Sequence, residues 1–217
     1  MELVMDKNIK QFQQAGYCII KSAISKELRD FVTQYALFDE GQRFNDREIG
    51  VYEPEVPIAH SVYADPAMET MMLHLRRIVQ ENTGFELYPT YSYYRVYRPG
   101  NILKPHIDRP SCEISVTLCF NYSYDSNTYQ WPLFIEGNPV VLEPGDMAIY
   151  RGCDLEHWRS EFKNNDEDAW HVQGFFHYVN VNGPYKEYKF DTRPQLGMMR
   201  EDLRKKTVNK SYITYTK

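Results

Sequence analysis

The sequence predicts a mainly β domain, a sandwich of two antiparallel sheets supported by α-helices along one outer face. Three observations predict it. Helical apolar spacing is confined to the first 84 residues, residues 85–180 read as an unbroken run of short strands separated by turn residues, and 217 residues is a length that one sandwich or barrel fills. The expected organisation is a single domain over 1–217: helical support at 1–84, a β core at 85–180 and a C-terminal extension at 181–217.

Taken in order, residues 9–21 read as a short helix closed at Gly16 and followed by a strand. Ser25 caps a second helix, in which Leu28, Phe31, Val32, Tyr35 and Ala36 recur at helical spacing up to about Phe38. Residues 39–60 have no period and are expected to form a long loop, of the kind that serves as a lid or touches substrate. Asp65-Pro66 opens a third helix that ends near Gly84, with Met68, Met71, Met72, Leu75 and Ile78 as its buried stripe and His74 on the surface. Strands are expected at about 86–97, 112–122, 130–136, 139–142, 146–151 and 170–180, and residues 183–217 as a tail packed on the domain or on a partner.

Composition narrows the function classes. A 42% hydrophobic, 25% charged chain can bury a core, and its net charge of −5 without an extended basic stripe disfavours nucleic-acid binding. The 18 tyrosines suit half-buried strand positions. Cys18, Cys112, Cys119 and Cys153 show no metal-finger spacing and read as free thiols of a reducing compartment. With no run of signal-peptide or membrane-spanning length, the expectation is a soluble cytoplasmic protein without a membrane partner, and a homo-oligomer is left open.

The chemistry concentrates at His106-Ile107-Asp108 and at His157. On an extended strand residues i and i+2 share a face, so His106 and Asp108 can grip one ion while Ile107 points away, with His157 arriving from another strand. Two imidazoles and one carboxylate form the facial triad of non-haem iron sites, which leaves positions open for a co-substrate and dioxygen. A lone His-x-Asp pair arises by chance nearly as often as not in this composition. The flanking Tyr97-Arg98-Pro99-Gly100, the β-rich run after it, and Gly145-Asp146 leading into His157 distinguish this one. Asp146 itself reads as a turn residue, and Trp131 as core.

These residues together resemble the iron(II)- and 2-oxoglutarate-dependent dioxygenase superfamily, most closely its small prolyl-4-hydroxylase-like members. The resemblance implies a double-stranded β-helix, a jelly-roll of cupin type, with His106, Asp108 and His157 as the catalytic iron ligands. It implies Fe(II), 2-oxoglutarate and O2 as cofactor and co-substrates, and admits ascorbate. The implied reaction releases succinate and CO2 and, through a ferryl species, hydroxylates an amino acid, peptide or other small substrate. Related halogenases lack the carboxylate ligand, so the presence of Asp108 argues against halogenation.

One departure from the family pattern is plain. A basic residue commonly follows the distal histidine on the last strand to hold the far carboxylate of 2-oxoglutarate, and Trp170 to His177 contains no Arg or Lys. The resemblance implies that Tyr97 lines the co-substrate site; Arg95, on the same strand face, and His171, fourteen residues past His157, are the substitutes for the anchor, with Lys104 and Arg159 behind them. Arg109, Trp158 and Arg159 are candidates for contacting substrate. The missing anchor keeps a second class in view, a non-oxidative cupin-like metal-binding module or isomerase.

Overall fold

The computed structural model of the chain describes residues 2–45 and 59–198. Helix α1 (Glu2–Ala15) leads into strand β1 (Tyr17–Ile20), α2 spans Lys26–Asn45, β2 spans His60–Tyr63 and α3 spans Pro66–Thr83. The β region follows as β3 (Leu87–Tyr97), β4 (Leu103–His106), β5 (Ile114–Ser123), β6 (Leu133–Ile135), β7 (Asn138–Val140), β8 (Met147–Tyr150), β9 (His157–Arg159) and β10 (Trp170–Asn180). The strands form two antiparallel sheets, β1-β8-β5-β10-β3-β2 and β4-β9-β6-β7. From β3 onward the chain passes back and forth between the sheets, apart from the β6–β7 hairpin, as in a jelly-roll.

Side-chain alternation divides the interior in two. On β3 and β10, Tyr94, Val96, Val172, Phe176 and Tyr178 face the helices and pack with Phe12, Val32, Met68, Met72 and Leu75. The opposite residues of the same strands, Tyr91, Tyr93, Tyr97 and Phe175, face the four-stranded sheet and pack with Trp131, Leu133 and Tyr150. The large sheet is thus covered on both faces, and polar residues of its inner face must find partners inside the sandwich.

Helix α3 follows its sequence signals. Asp65 accepts from the N–H groups of Ala67 and Met68, Pro66 occupies the first turn, and Gly84 closes the helix at φ 76°, where a Cβ is disfavoured. The expected loop over 39–60 is corrected at its start, because α2 continues to Asn45. Tertiary partners explain it: Asp39 accepts from Tyr94 Oη and pairs with His60, and Glu40 takes the Arg98 guanidinium. The remainder of that stretch, 46–58, lies outside the described residues. The α2 stripe is narrower than its periodicity suggests, since Val32 and Ala36 are buried while Leu28 and Phe31 are exposed.

After β10 the chain returns across the domain, with 3-10 turns over Lys186–Thr192. Within 183–198, Arg193 bonds Glu69 of α3 and Thr90 O of β3, and 199–217 lie outside the described residues. No helix among the described residues is long and apolar enough to cross a membrane.

Candidate metal centre and cavity

β4 and β9 pair with His106 directly opposite His157. The chain then leaves β4, and Asp108 stands in a non-strand segment, its N–H donating to Gly152 O at 2.9 Å. This corrects the picture of both ligands on one strand. The turn out of β4 swings the carboxylate back, and Asp108 Oδ1 lies 3.6 Å from both His106 Nε2 and His157 Nε2. Cis donors at about 2.1 Å from a metal are about 3 Å apart, so a small contraction closes the set around an ion.

Hydrogen bonding fixes which atoms face the centre. His106 Nδ1 lies 2.8 Å from Lys104 O and His157 Nδ1 lies 2.9 Å from Leu155 O. A carbonyl only accepts, so each Nδ1 carries a hydrogen and Nε2 is the ring atom turned toward Asp108, a lone-pair donor on a neutral ring. Burial pushes the His157 pKa down, which favours that neutral ring. Two imidazole Nε2 atoms and one carboxylate oxygen therefore converge, a donor set that could hold a metal ion.

The other carboxylate oxygen is already engaged. Ser115 Oγ donates to Asp108 Oδ2 at 2.7 Å and lies 3.0 Å from His177 Nδ1, leaving Oδ1 alone to face the histidines. Burial lowers His177 to about 4, so it is neutral near pH 7, and with the Ser115 proton given to Asp108 its Nδ1–H donates to Ser115. Gly152 completes this wall: a Cβ there would stand far inside contact distance of Asp108 Oδ2 and 2.5 Å from Ser115 Oγ. Ser115, Gly152 and His177 were missed in the sequence. Alternation along β5 marks Ser115 as inward-facing, while nothing local marks Gly152.

The triad opens into a cavity of about 280 Å³, lined also by Arg95, Arg109, Tyr91, Tyr93, Phe175 and His177. Arg95 is 7% exposed, bonds Ser61 Oγ and Tyr97 Oη, and lies 5.1 Å from the centroids of the Tyr93 and Phe175 rings. The Tyr93 hydroxyl is buried without a hydrogen-bond partner among the described residues. His171 does not line the cavity: it is bonded to Tyr124 Oη and Gln173 Oε1, and burial holds its pKa well below the usual histidine range. Arg159 is also enclosed elsewhere, donating to Trp131 O and Gln173 Oε1 over the Trp131 ring. Trp158 stacks on Phe134 on the outer face of the small sheet, and Lys104 is exposed.

No protein-family model matches the chain, and no curated protein matches its sequence. Solved structures do match its fold. A prolyl-4-hydroxylase of Pseudomonas putida superposes at TM-score 0.55 and 17% identity, over 80% of this chain and 98% of its own. The fold is that of the iron(II)/2-oxoglutarate oxygenases. The α-ketoglutarate-dependent epimerase SnoN of nogalamycin biosynthesis matches at 0.65 and 10% identity, over 93% and 98% of the two chains. A Trichoplax adhaerens prolyl hydroxylase, solved with a peptide of hypoxia inducible factor, matches at 0.62 and 12% identity, over 89% and 94%. Within this oxygenase fold the neighbours run different reactions, so the fold alone assigns none of them.

Proposed function

We propose that the chain is an Fe(II)- and 2-oxoglutarate-dependent oxygenase, with His106, Asp108 and His157 holding the metal. The observation that carries this reading is the convergence of two imidazole Nε2 atoms and one carboxylate oxygen at the end of a cavity with a buried arginine in its wall. Iron held there with 2-oxoglutarate would supply oxidation of an unactivated C–H bond, with succinate and CO2 as co-products.

The protein's own groups divide the remaining work. Asp108 Oδ2 is fixed by Ser115, so the carboxylate presents one oxygen and leaves coordination positions for a chelating acid. Arg95 and the unpartnered Tyr93 hydroxyl are the donors for the far carboxylate of 2-oxoglutarate, because they line the cavity while His171 and Arg159 are committed elsewhere. Tyr97, expected in the co-substrate site, does not line the cavity and acts through Arg95, accepting from its Nη1. The rings of Tyr91, Tyr93 and Phe175 exclude water around the reacting carbon. At about 280 Å³ the cavity is at the small end for ligand sites, which suits hydroxylation of a small molecule or of one peptide side chain.

The test is anaerobic addition of Fe(II) and then 2-oxoglutarate. The weak visible charge-transfer band of a chelated keto acid is expected. Bound metal without that band would overturn the reading and favour a non-oxidative metal module.

A further inference from the structure

The two cavity arginines stand at different depths. Arg95 is enclosed, whereas Arg109, next in sequence to Asp108, keeps 40% of its side chain exposed. A guanidinium offers two donor forks, Nη1 with Nη2 and Nε with Nη2. Asp191 fills the first, accepting from Nη1 at 2.5 Å and from Nη2 at 3.0 Å, and Ser111 Oγ takes the other Nη1 hydrogen at 2.6 Å. No described residue bonds Arg109 Nε, so the second fork is open. The Tyr91 ring, 4.5 Å from the guanidinium carbon, fixes its plane.

Asp191 is a rigid counterion. It is 1% exposed and also accepts from Tyr63 Oη and Ser111 Oγ. Burial would raise its carboxyl, but the Arg109 hydrogen bonds and charge, with those from Tyr63 and Ser111, outweigh it and hold it down to about 2. It sits in three successive left-handed residues, Phe190, Asp191 and Thr192, at φ 56°, 56° and 61°. Such backbone is unfavourable for L-residues and persists where surrounding contacts impose it. Arg193 imposes it here, bonding Glu69, Thr90 O and Phe190 O. Arg109 lines the cavity while none of the described residues engages its second fork.

We propose that Arg109 clamps a carboxylate of the primary substrate through its Nε/Nη2 fork, so that the substrate is a small carboxylic acid with an apolar body. Asp191 is the positioning residue that orients the clamp. The inference rests on the oxygenase reading and divides the anions by depth, 2-oxoglutarate toward Arg95 and the substrate acid toward the mouth. Tyr91, Tyr93 and Phe175 offer aromatic surface for the apolar body.

The experiment uses full-length protein with Fe(II) and paired probes: hexanoate, 3-phenylpropionate and N-acetyl-leucine, each beside its primary amide. Stimulated succinate release is expected with at least one acid and not with its amide. Arg109→Lys keeps a charge for Asp191 but lacks the planar fork, and is expected to raise the KM of that acid about 10- to 100-fold. Affinity for 2-oxoglutarate, titrated by the charge-transfer band, should stay within about twofold. The proposal is overturned if no acid stimulates, if an amide matches its acid, if Arg109→Lys leaves the acid KM unchanged, or if it weakens 2-oxoglutarate instead. Absence of the band in the wild type would instead sink the oxygenase reading, so the two failures are distinct.

Discussion

Replacing Gly152 by Ala is the sharpest test of how the metal centre is held. The added Cβ would stand far inside contact distance of Asp108 Oδ2 and Cys112 O and 2.5 Å from Ser115 Oγ. Comfortable carbon–oxygen separations are about 3.3 Å or more, so each neighbour must retreat about 1 Å. The shift cannot be absorbed by sliding Asp108 alone, because its N–H is bonded to Gly152 O. A metal site tolerates about 0.5 Å of ligand displacement, and loss of an orienting partner typically costs 10- to 100-fold in affinity. We therefore expect a Co(II) titration, followed by its visible absorption, to show Kd raised at least about 10-fold. Overpacking should also cost about 1–3 kcal/mol, a fall in Tm of roughly 2–12 °C for a chain of this size. Gly41→Ala is the control, since a Cβ there meets nothing within 4 Å and the residue lies in α2. It should raise stability by up to about 1 kcal/mol and leave metal affinity unchanged. Wild-type cobalt affinity in Gly152→Ala would refute this account of Asp108.

Other outcomes test the remaining parts. Asp108→Ala should abolish succinate production, and retained turnover would remove Asp108 from the triad. Arg95→Ala should raise the Kd for 2-oxoglutarate about 10- to 100-fold while His171→Ala changes it less than twofold; the reverse pattern would move the anchor to β10. Ser115→Ala leaves Asp108 Oδ2 without its donor and should weaken metal binding about 10-fold, measured by the same cobalt titration. Asp191 has a native pKa of about 2 against 3.8 for an unfolded carboxyl, so its stabilisation is present above pH 4 and is lost as pH falls toward 2. Urea unfolding across that window should show a loss on the order of 2 kcal/mol that is absent in Asp191→Asn.

What the sequence revealed depended on how local the cause was. Asp65, Pro66 and Gly84 bound α3 through contacts within a few residues, and the alternation of β3, β5 and β10 placed the large sheet. The end of α2 was not legible, because Asp39 and Glu40 are engaged by Tyr94 and Arg98, more than fifty residues away. At the centre, residue types and spacing marked His106, Asp108 and His157, but not the turn that carries Asp108 off β4. Strand alternation put Arg95 ahead of Arg159 as the co-substrate anchor but left His171 level with it, and proximity to the ligands alone nominated Arg109. Their roles separate only through partners remote in sequence: Asp191 for Arg109, Trp131 and Gln173 for Arg159. Trp158 illustrates the same limit, since adjacency to His157 put it on the opposite face of a three-residue strand.

The facing positions of His106 and His157 carry a mechanical consequence. β4 is a four-residue outer strand whose pairing with β9 is interrupted by a register shift between Leu103 and His106. An ion gripping both rings fastens that strand to its neighbour and closes the roughly fifty residues between them into a loop, as a covalent cross-link would. Metal occupancy would then act as a latch on the sheet edge: amide exchange along β4 should slow as metal is added, before any change is felt in the helix-backed sheet.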